Sequence, residues 1–387
     1  MKKRSPLFAL LLILLVACGR QRGNSPTSPP TAVLPTHTPP PTDTPLPTAV
    51  PDSAFTHLVA GWNKIEPGGD TRCAHDTPFS YWVKPGNVNK LLIYFEGGGG
   101  CWDAQTCKQG STFYDADVGP DEDPTNRRGI FDLDNPANPF RDYHAVYIPS
   151  CNGDVYWGNS VQNYPKEDGS ALQIYHRGFV NAGAALGWAY QNIPDPDAIF
   201  VTGCSAGSVG SRVHTPYIIE QYPTVPVTQF GDSLAFVFGR QFGLGDPSAY
   251  PSWIPELTSL EREGGALMAE YDSIIANHYP DTTFAQYNTK NDNVQERFYT
   301  AVSGLPTAGF QEDLTTHLMT IHAAAPNFRS FTPAGELHCI LPRSQFYSAE
   351  TGGVSLVEWV AALANGEDVP NVQCKECQTD FGLDAPN

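Results

Sequence analysis

The stretch Ile199-Phe200-Val201-Thr202-Gly203-Cys204-Ser205-Ala206-Gly207 constrains the fold more than any other part of the chain. An apolar run fit for a buried strand meets a G-x-S-x-G pattern, and Ser208 and Gly210 extend the set of small residues. A strand that turns sharply into a helix at a serine needs small neighbours, because strand and helix crowd the turn. Such an elbow lifts the serine hydroxyl to the carboxyl edge of a sheet, beside a helix N-terminus that favours negative charge. The pattern by itself is also compatible with a glycine-rich turn capped by a serine. The surrounding chain favours the elbow. Strands are predicted at 91–96, 143–149, 198–203, 225–230, 283–287 and 327–332, and helices at 178–191 and 209–221. A last helix is marked by a Ser355/Glu358 capping box, an inward stripe of Leu356, Val357, Val360 and Leu363, and a stop at Gly366. Strands alternating with helices imply an α/β fold, a mostly parallel sheet with helices on both faces.

A second glycine-rich stretch follows the first strong strand: Phe95-Glu96-Gly97-Gly98-Gly99-Gly100-Cys101-Trp102. Glycines let the backbone approach a ligand and aim N–H groups at it. A phosphate loop would need G-x-x-x-x-G-K-[ST], which is not present. A serine nucleophile instead needs donors for a developing oxyanion. Gly98 and Gly99 are the candidates, with the N–H of Ala206 as the third. The spacing of Cys101 and Cys107 suits a staple across this loop.

These motifs together resemble the pectin acetylesterase/Notum family of α/β-hydrolase-like carboxylesterases. The resemblance rests on Tyr94 to Trp102, Asn138-Pro139-Phe140, Ile148 to Asp154, Gly203 to Gly207, and Asp232-Ser233. It implies ester hydrolysis by a serine, without metal or cofactor. It departs from the family at Ser208, where many members have a second glycine. The acid and base should follow the serine in that order. His338 comes after the last predicted strand and before the capped helix, where the base belongs. His214 is too early, and His317 and His322 fall in a helical stretch. Asp292 matches the family's acid by position. Asp232 is the rival for that role, and otherwise a candidate pocket or elbow-orienting residue, as Trp102 is for the pocket. Trp102, Tyr156, Trp157 and Trp253 are candidate sugar-stacking platforms.

The family resemblance also implies a Cys73–Cys151 disulfide. The Cys204-Ser205…Asp292…His338-Cys339 arrangement further resembles tannases and feruloyl esterases, in which a disulfide ties nucleophile to base. Two buried free thiols are the alternative. Cys374-x-x-Cys377 has no second pair to complete a zinc site, and its pairing stays open.

The amino-terminal region reads as export machinery. Lys2, Lys3 and Arg4 precede an apolar run too short to span a bilayer. Leu15-Val16-Ala17-Cys18 resembles the lipobox of bacterial lipoproteins. This implies a signal peptide over 1–17, lipidation of Cys18 and a membrane-anchored, extracytoplasmic protein. Ten prolines and seven threonines between positions 19 and 52 predict a disordered tether over 18–53. The esterase domain is expected over 54–387. The formal charge of −18 argues against a nucleic-acid partner. It also favours a neutral or heavily acetylated glycan over bare polygalacturonate, unless positive charge gathers at the site. The expected function is thus removal of O-acetyl groups from a polysaccharide such as pectin. Alternatives are a carboxylesterase on lipid or aryl esters, and a non-catalytic glycan-binding protein on the same scaffold.

Overall fold

The computed structural model describes residues 57–238, 250–262 and 268–375. All lie within one compact unit, Val50–Asn387. The segments expected to be a signal peptide and a tether, with Cys18, and also Cys377, fall outside the described residues. In chain order the strands are β1 Asn63–Ile65, β2 Tyr81–Lys84, β3 Val88–Phe95, β4 Tyr143–Ile148, β5 Ser160–Pro165, β6 Ala171–His176, β7 Ala198–Cys204, β8 Val227–Asp232, β9 Thr283–Tyr287, β10 Phe328–Thr332, β11 Glu350–Thr351, β12 Val354–Ser355 and β13 Val372–Gln373. The α-helices are α1 Gly178–Asn192, α2 Ala206–Gln221, α3 Pro255–Arg262, α4 Met268–His278, α5 Asn293–Ser303, α6 Phe310–Ala324 and α7 Leu356–Ala364.

One sheet runs β1-β2-β4-β3-β7-β8-β9-β10-β13. It is parallel from β4 to β13, while the β1–β2 and β2–β4 pairs at one edge are antiparallel. Strands buried on both faces read as continuous apolar runs, and β3 and β7 do so. Their side chains alternate between two cores. Leu92, Tyr94, Phe200, Phe230 and Phe331 pack with α7. Leu91, Ile93, Ile199 and Val201 pack on Ala182, Ala185, Leu186 and Ala189 of α1. The sheet is therefore covered on both faces, and the fold is α/β-hydrolase-like. Among the described residues no helix is long and apolar enough to cross a membrane.

Two local expectations are corrected. Strand β8 runs on to Asp232, because Asp232 stays in register with Cys204 of β7 and Tyr287 of β9. The capping box before α7 does not form: the Ser355 side chain makes no cap hydrogen bond. Ser355 closes the β11–β12 hairpin, and the Leu356 N–H goes to the Ala349 carbonyl at 2.9 Å. Val357 is only half-buried, and Trp359 takes the inward position beside Leu356, Val360 and Leu363. The other end behaves as read. Gly366 is left-handed, and the bonds Gly366 N–H to Leu363 and Glu367 N–H to Ala362 close a Schellman motif.

Trp359 sits edge-on to Phe230 and Phe331 at 5.9 and 5.5 Å, and its indole N–H donates to the Pro370 carbonyl at 2.8 Å. Trp359→Ala should lower stability by about 3–5 kcal/mol, read as a lower midpoint in urea unfolding. An unchanged midpoint would contradict the packing described for this face.

Candidate active site

Ser205 is the hinge between β7 and α2, with φ 55° and ψ −122°. This left-handed region is costly for a residue with a Cβ. It is held there by its own N–H, which donates to the Asp232 carbonyl at 2.8 Å. The small residues around it are required by contact. A Cβ on Gly207 would collide with the Phe95 carbonyl, and one on Gly203 with the Gly207 carbonyl. Ser208 is buried, and its hydroxyl reaches the Leu234 carbonyl.

The glycine run lies across the elbow. The Gly100 N–H donates to Phe113 and the Asp115 N–H to the Gly98 carbonyl, both at 3.0 Å. These bonds pin the loop while the N–H groups of Gly98, Gly99 and Ala206 donate to no described protein acceptor. Gly99 has φ 66°, and a Cβ there would meet the Phe113 carbonyl. The Cys101–Cys107 disulfide closes the next turn of chain.

His338 reaches the same place from the loop after β10. Its Nδ1 donates to Asp292 Oδ2 at 2.8 Å and lies 3.0 Å from Oδ1. A proton on Nδ1 leaves Nε2 as the basic nitrogen of the neutral ring. Nε2 is buried and bonds to no described residue. Asp292 is fully buried and is the N-cap of α5. It accepts from the N–H groups of Val294 and Gln295 at 3.1 and 2.9 Å and from Gln295 Nε2 at 3.1 Å. Gln295 was missed in the sequence, although Asp292-x-x-Gln295 has the spacing of a capping pair.

Asp232 does not touch His338 and does not line the cavity. It is wholly buried and accepts from the N–H groups of Ile340 and Leu341 at 2.9 and 2.8 Å, and from the Ser233 hydroxyl at 2.6 Å. Burial pushes its carboxyl above the usual range. Asp232 thus anchors the His338 loop, whereas the carboxylate that meets the imidazole is that of Asp292. His214 and His317 are buried, and burial pushes them down to about 4 and about 3. His322 is half-buried and bonds to Ser330.

Two spaces meet at His338. A cavity of about 570 Å³ is lined by Gly99, Trp102, Ser205, Ala206 and His338, with Trp157, Phe236, Phe238 and Phe298 as apolar wall. The other is an open groove of about 800 Å³ bordered by Arg127, Arg128 and Arg343, with Glu96 as its single acid. Arg343 Nε donates to the carbonyls of His338 and Cys339 at 3.2 and 3.0 Å. Positive charge is thus gathered at the site of an acidic protein. Of the proposed stacking platforms, Trp102 and Trp157 line the cavity. Tyr156 is buried, with its hydroxyl on the carbonyls of Glu96 and Ile148, and Trp253 packs on Tyr217 away from the cavity.

Two further disulfides are present. Cys73–Cys151 joins the segments before β2 and after β4. Cys204–Cys339 joins the residue before Ser205 to the residue after His338, with the Cα atoms 5.5 Å apart. Cys374 is also disulfide-bonded. Such bonds fit an oxidising, extracytoplasmic compartment.

Fold and site geometry define an α/β-hydrolase-like protein with a serine at its strand–helix elbow. The chain is similar to the pectin acetylesterase/Notum family: the model of that family described as Pectinacetylesterase matches residues 65–247. That span includes the glycine run and the elbow and ends before Asp292 and His338. Over 107 residues, 26% of this chain and 20% of the relative, it is 33% identical to palmitoleoyl-protein carboxylesterase NOTUM of Schmidtea mediterranea. Over 169 residues, 41% of this chain and 39% of the relative, it is 23% identical to pectin acetylesterase 4 of Arabidopsis thaliana. The matches therefore span less than half of either relative. Two crystal forms of the Wnt deacylase Notum from Drosophila share the fold, with TM-scores of 0.57 and 0.58 at 15% identity. They cover 84% and 81% of this chain and 99% and 96% of those chains.

Removing the Asp232 carboxylate strands two buried N–H groups. Asp232→Ala should cost about 1–3 kcal/mol or more, read by urea unfolding; an unchanged midpoint would show that the loop is held by other means.

Proposed function

We propose that the protein is a serine carboxylesterase that removes acyl groups from a polysaccharide, with O-acetyl groups on a pectin-like glycan as the leading substrate. The observation that carries the reading is the Asp292–His338 pair at 2.8 Å beside Ser205, in a cavity edged by unbonded glycine N–H groups. His338 Nε2 takes the Ser205 proton as the hydroxyl oxygen attacks the ester carbonyl carbon. Asp292 holds the ring in the useful tautomer and stabilises the imidazolium. The N–H groups of Gly98, Gly99 and Ala206 receive the negative oxygen. Collapse expels the alcohol, which leaves with the proton from His338. Water then gives a proton to His338 as it attacks the acyl carbon, and collapse releases the carboxylic acid while His338 returns the proton to the Ser205 oxygen. No step calls for a metal or cofactor.

The arginine-edged groove supports an alcohol portion that carries carboxylates, as a uronate polymer does. Local charge here outweighs the repulsion expected from the chain as a whole, since screening confines charge effects to about 8–10 Å. The apolar cavity supports a second reading, an ester with a long-chain or aryl acyl group, because it exceeds what an acetyl group fills. An exported lipoprotein, signal peptide 1–17 and lipid on Cys18, with a tether to residue 53 and an esterase domain from 54, completes the proposal.

Ser205→Ala should abolish hydrolysis with the fold retained, and the parent should be labelled at Ser205 by a fluorophosphonate. An unlabelled, inactive parent would favour a binding protein on this scaffold. Asp292→Asn should lower kcat by about 10³–10⁴-fold, measured on one ester; a loss below tenfold would remove Asp292 from the proposed role.

Acetylated pectin, acetylated xylan and p-nitrophenyl esters of rising chain length, assayed side by side, separate the two substrate readings. Preference for acetylated pectin supports the glycan. A kcat/KM that climbs with chain length supports the lipid or aryl ester.

A further inference from the structure

One short segment touches both halves of the candidate site. Gly129–Phe131 forms a 3-10 turn, with Arg127 and Arg128 just before it. The Arg128 N–H donates to the Pro342 carbonyl at 3.1 Å, and the Ile130 N–H to the Leu341 carbonyl at 2.9 Å. Gly129 lies so close that a Cβ would strike the Leu341 carbonyl, and its own carbonyl accepts from the Tyr347 hydroxyl at 2.7 Å. The segment is thereby laid along the His338 loop. Arg127 gives it a charged link to the residue before the glycine run, with Nη2 3.1 Å from Glu96 Oε1. Glu96 is 6% exposed and is the last residue before Gly97. Its backbone is already fixed: its N–H donates to Ile148 and its carbonyl accepts from Tyr156, both at 2.8 Å. A carboxylate is an expensive group to bury unless it is paired. Its apolar neighbour Phe95 is buried without that cost.

We propose that Glu96 and Arg127 are positioning residues, whose ion pair holds the glycine N–H groups in place relative to His338. The proposal rests on the esterase reading for its catalytic consequence, but its structural half stands apart from it. The groups facing Glu96 are Arg127, the hydroxyls of Tyr94 and Tyr147, and Asp115 beyond the glycine run. His338, Arg128 and Arg343 share the groove with it. Burial pushes the Glu96 carboxyl up to about 7, against the pull of Arg127. The pair is thus intact above that pH, and protonation of Glu96 dissolves it below.

The test uses the full chain with p-nitrophenyl acetate. Glu96→Gln should lower kcat by about 10–100-fold at alkaline pH with little change in KM, the loss expected for a displaced reacting group. The ratio of parent to variant kcat compares Glu96 with its uncharged isostere at each pH. It should shrink toward one as pH falls through about 7. Arg127→Gln, at a half-exposed position, should give the same loss even if Glu96→Gln folds poorly, and Arg127→Lys should recover part of the rate. A ratio that does not change with pH, or parental kcat in both Gln variants, overturns the proposal. Amide hydrogen exchange gives a readout independent of turnover. Both Gln variants should exchange faster at the Gly100 and Asp115 amides, which pin the glycine run, and at the Arg128 and Ile130 amides, which hold the segment to the His338 loop. Unchanged exchange overturns the proposal even if the parent hydrolyses no ester, whereas faster exchange in an inactive parent counts against the esterase reading alone.

Discussion

The buried carboxylate of Asp232 ties the molecule's chemistry to its sheet. It sits at the carboxyl end of β8, in register with Cys204 and Tyr287. Its main-chain carbonyl takes the Ser205 N–H, and its side chain takes the N–H groups of Ile340 and Leu341. One residue thus fixes the elbow and, from the opposite direction, the loop that carries His338. Ser233 repeats the connection, its hydroxyl accepting from the Cys339 N–H at 2.9 Å. The Cys204–Cys339 disulfide makes the same link covalently. Three kinds of bond therefore restrain one distance, that between the serine and the histidine. In the proposed reaction this restraint would raise the rate, because the entropy of bringing the two groups together is lost in folding.

The two sides of His338 differ in character. The cavity wall is aromatic and aliphatic, while the groove is edged by arginines. An apolar pocket suits an acyl group, and a cationic groove suits an anionic alcohol. The arginines come from two separate loops, one before β4 and one after β10. Their charge is concentrated by folding in a chain with 41 acidic and 23 basic residues. Electrostatic reasoning from net charge applies to solubility and long-range steering, and it does not describe such a groove.

The sequence itself determined what depends on neighbours along the chain. The elbow was legible at Gly203 to Gly207 because only small residues fit between a strand and the helix it feeds. The strands β3 and β7 were legible because burial on both faces demands a continuous apolar run, Leu91–Phe95 in one and Ile199–Val201 in the other. Gly366 was legible as a stop because a left-handed residue ends a helix. The short edge strands β1 and β2 and the hairpins were not, since pairing partners rather than composition create them. Tertiary structure alone decided the rest. In the sequence Asp292 and Asp232 were both candidates for the partner of His338, and only the family resemblance favoured Asp292. Which one meets His338 depends on where α5 begins, since its N-terminus turns Asp292 toward the imidazole while β8 carries Asp232 beneath the loop. The pairing of Glu96 with Arg127, and the arginines along the groove, likewise exist only after residues far apart in the chain are packed together. Local rules fix the conformation of a residue, but the distance between two charges is set by the packing of the elements that carry them.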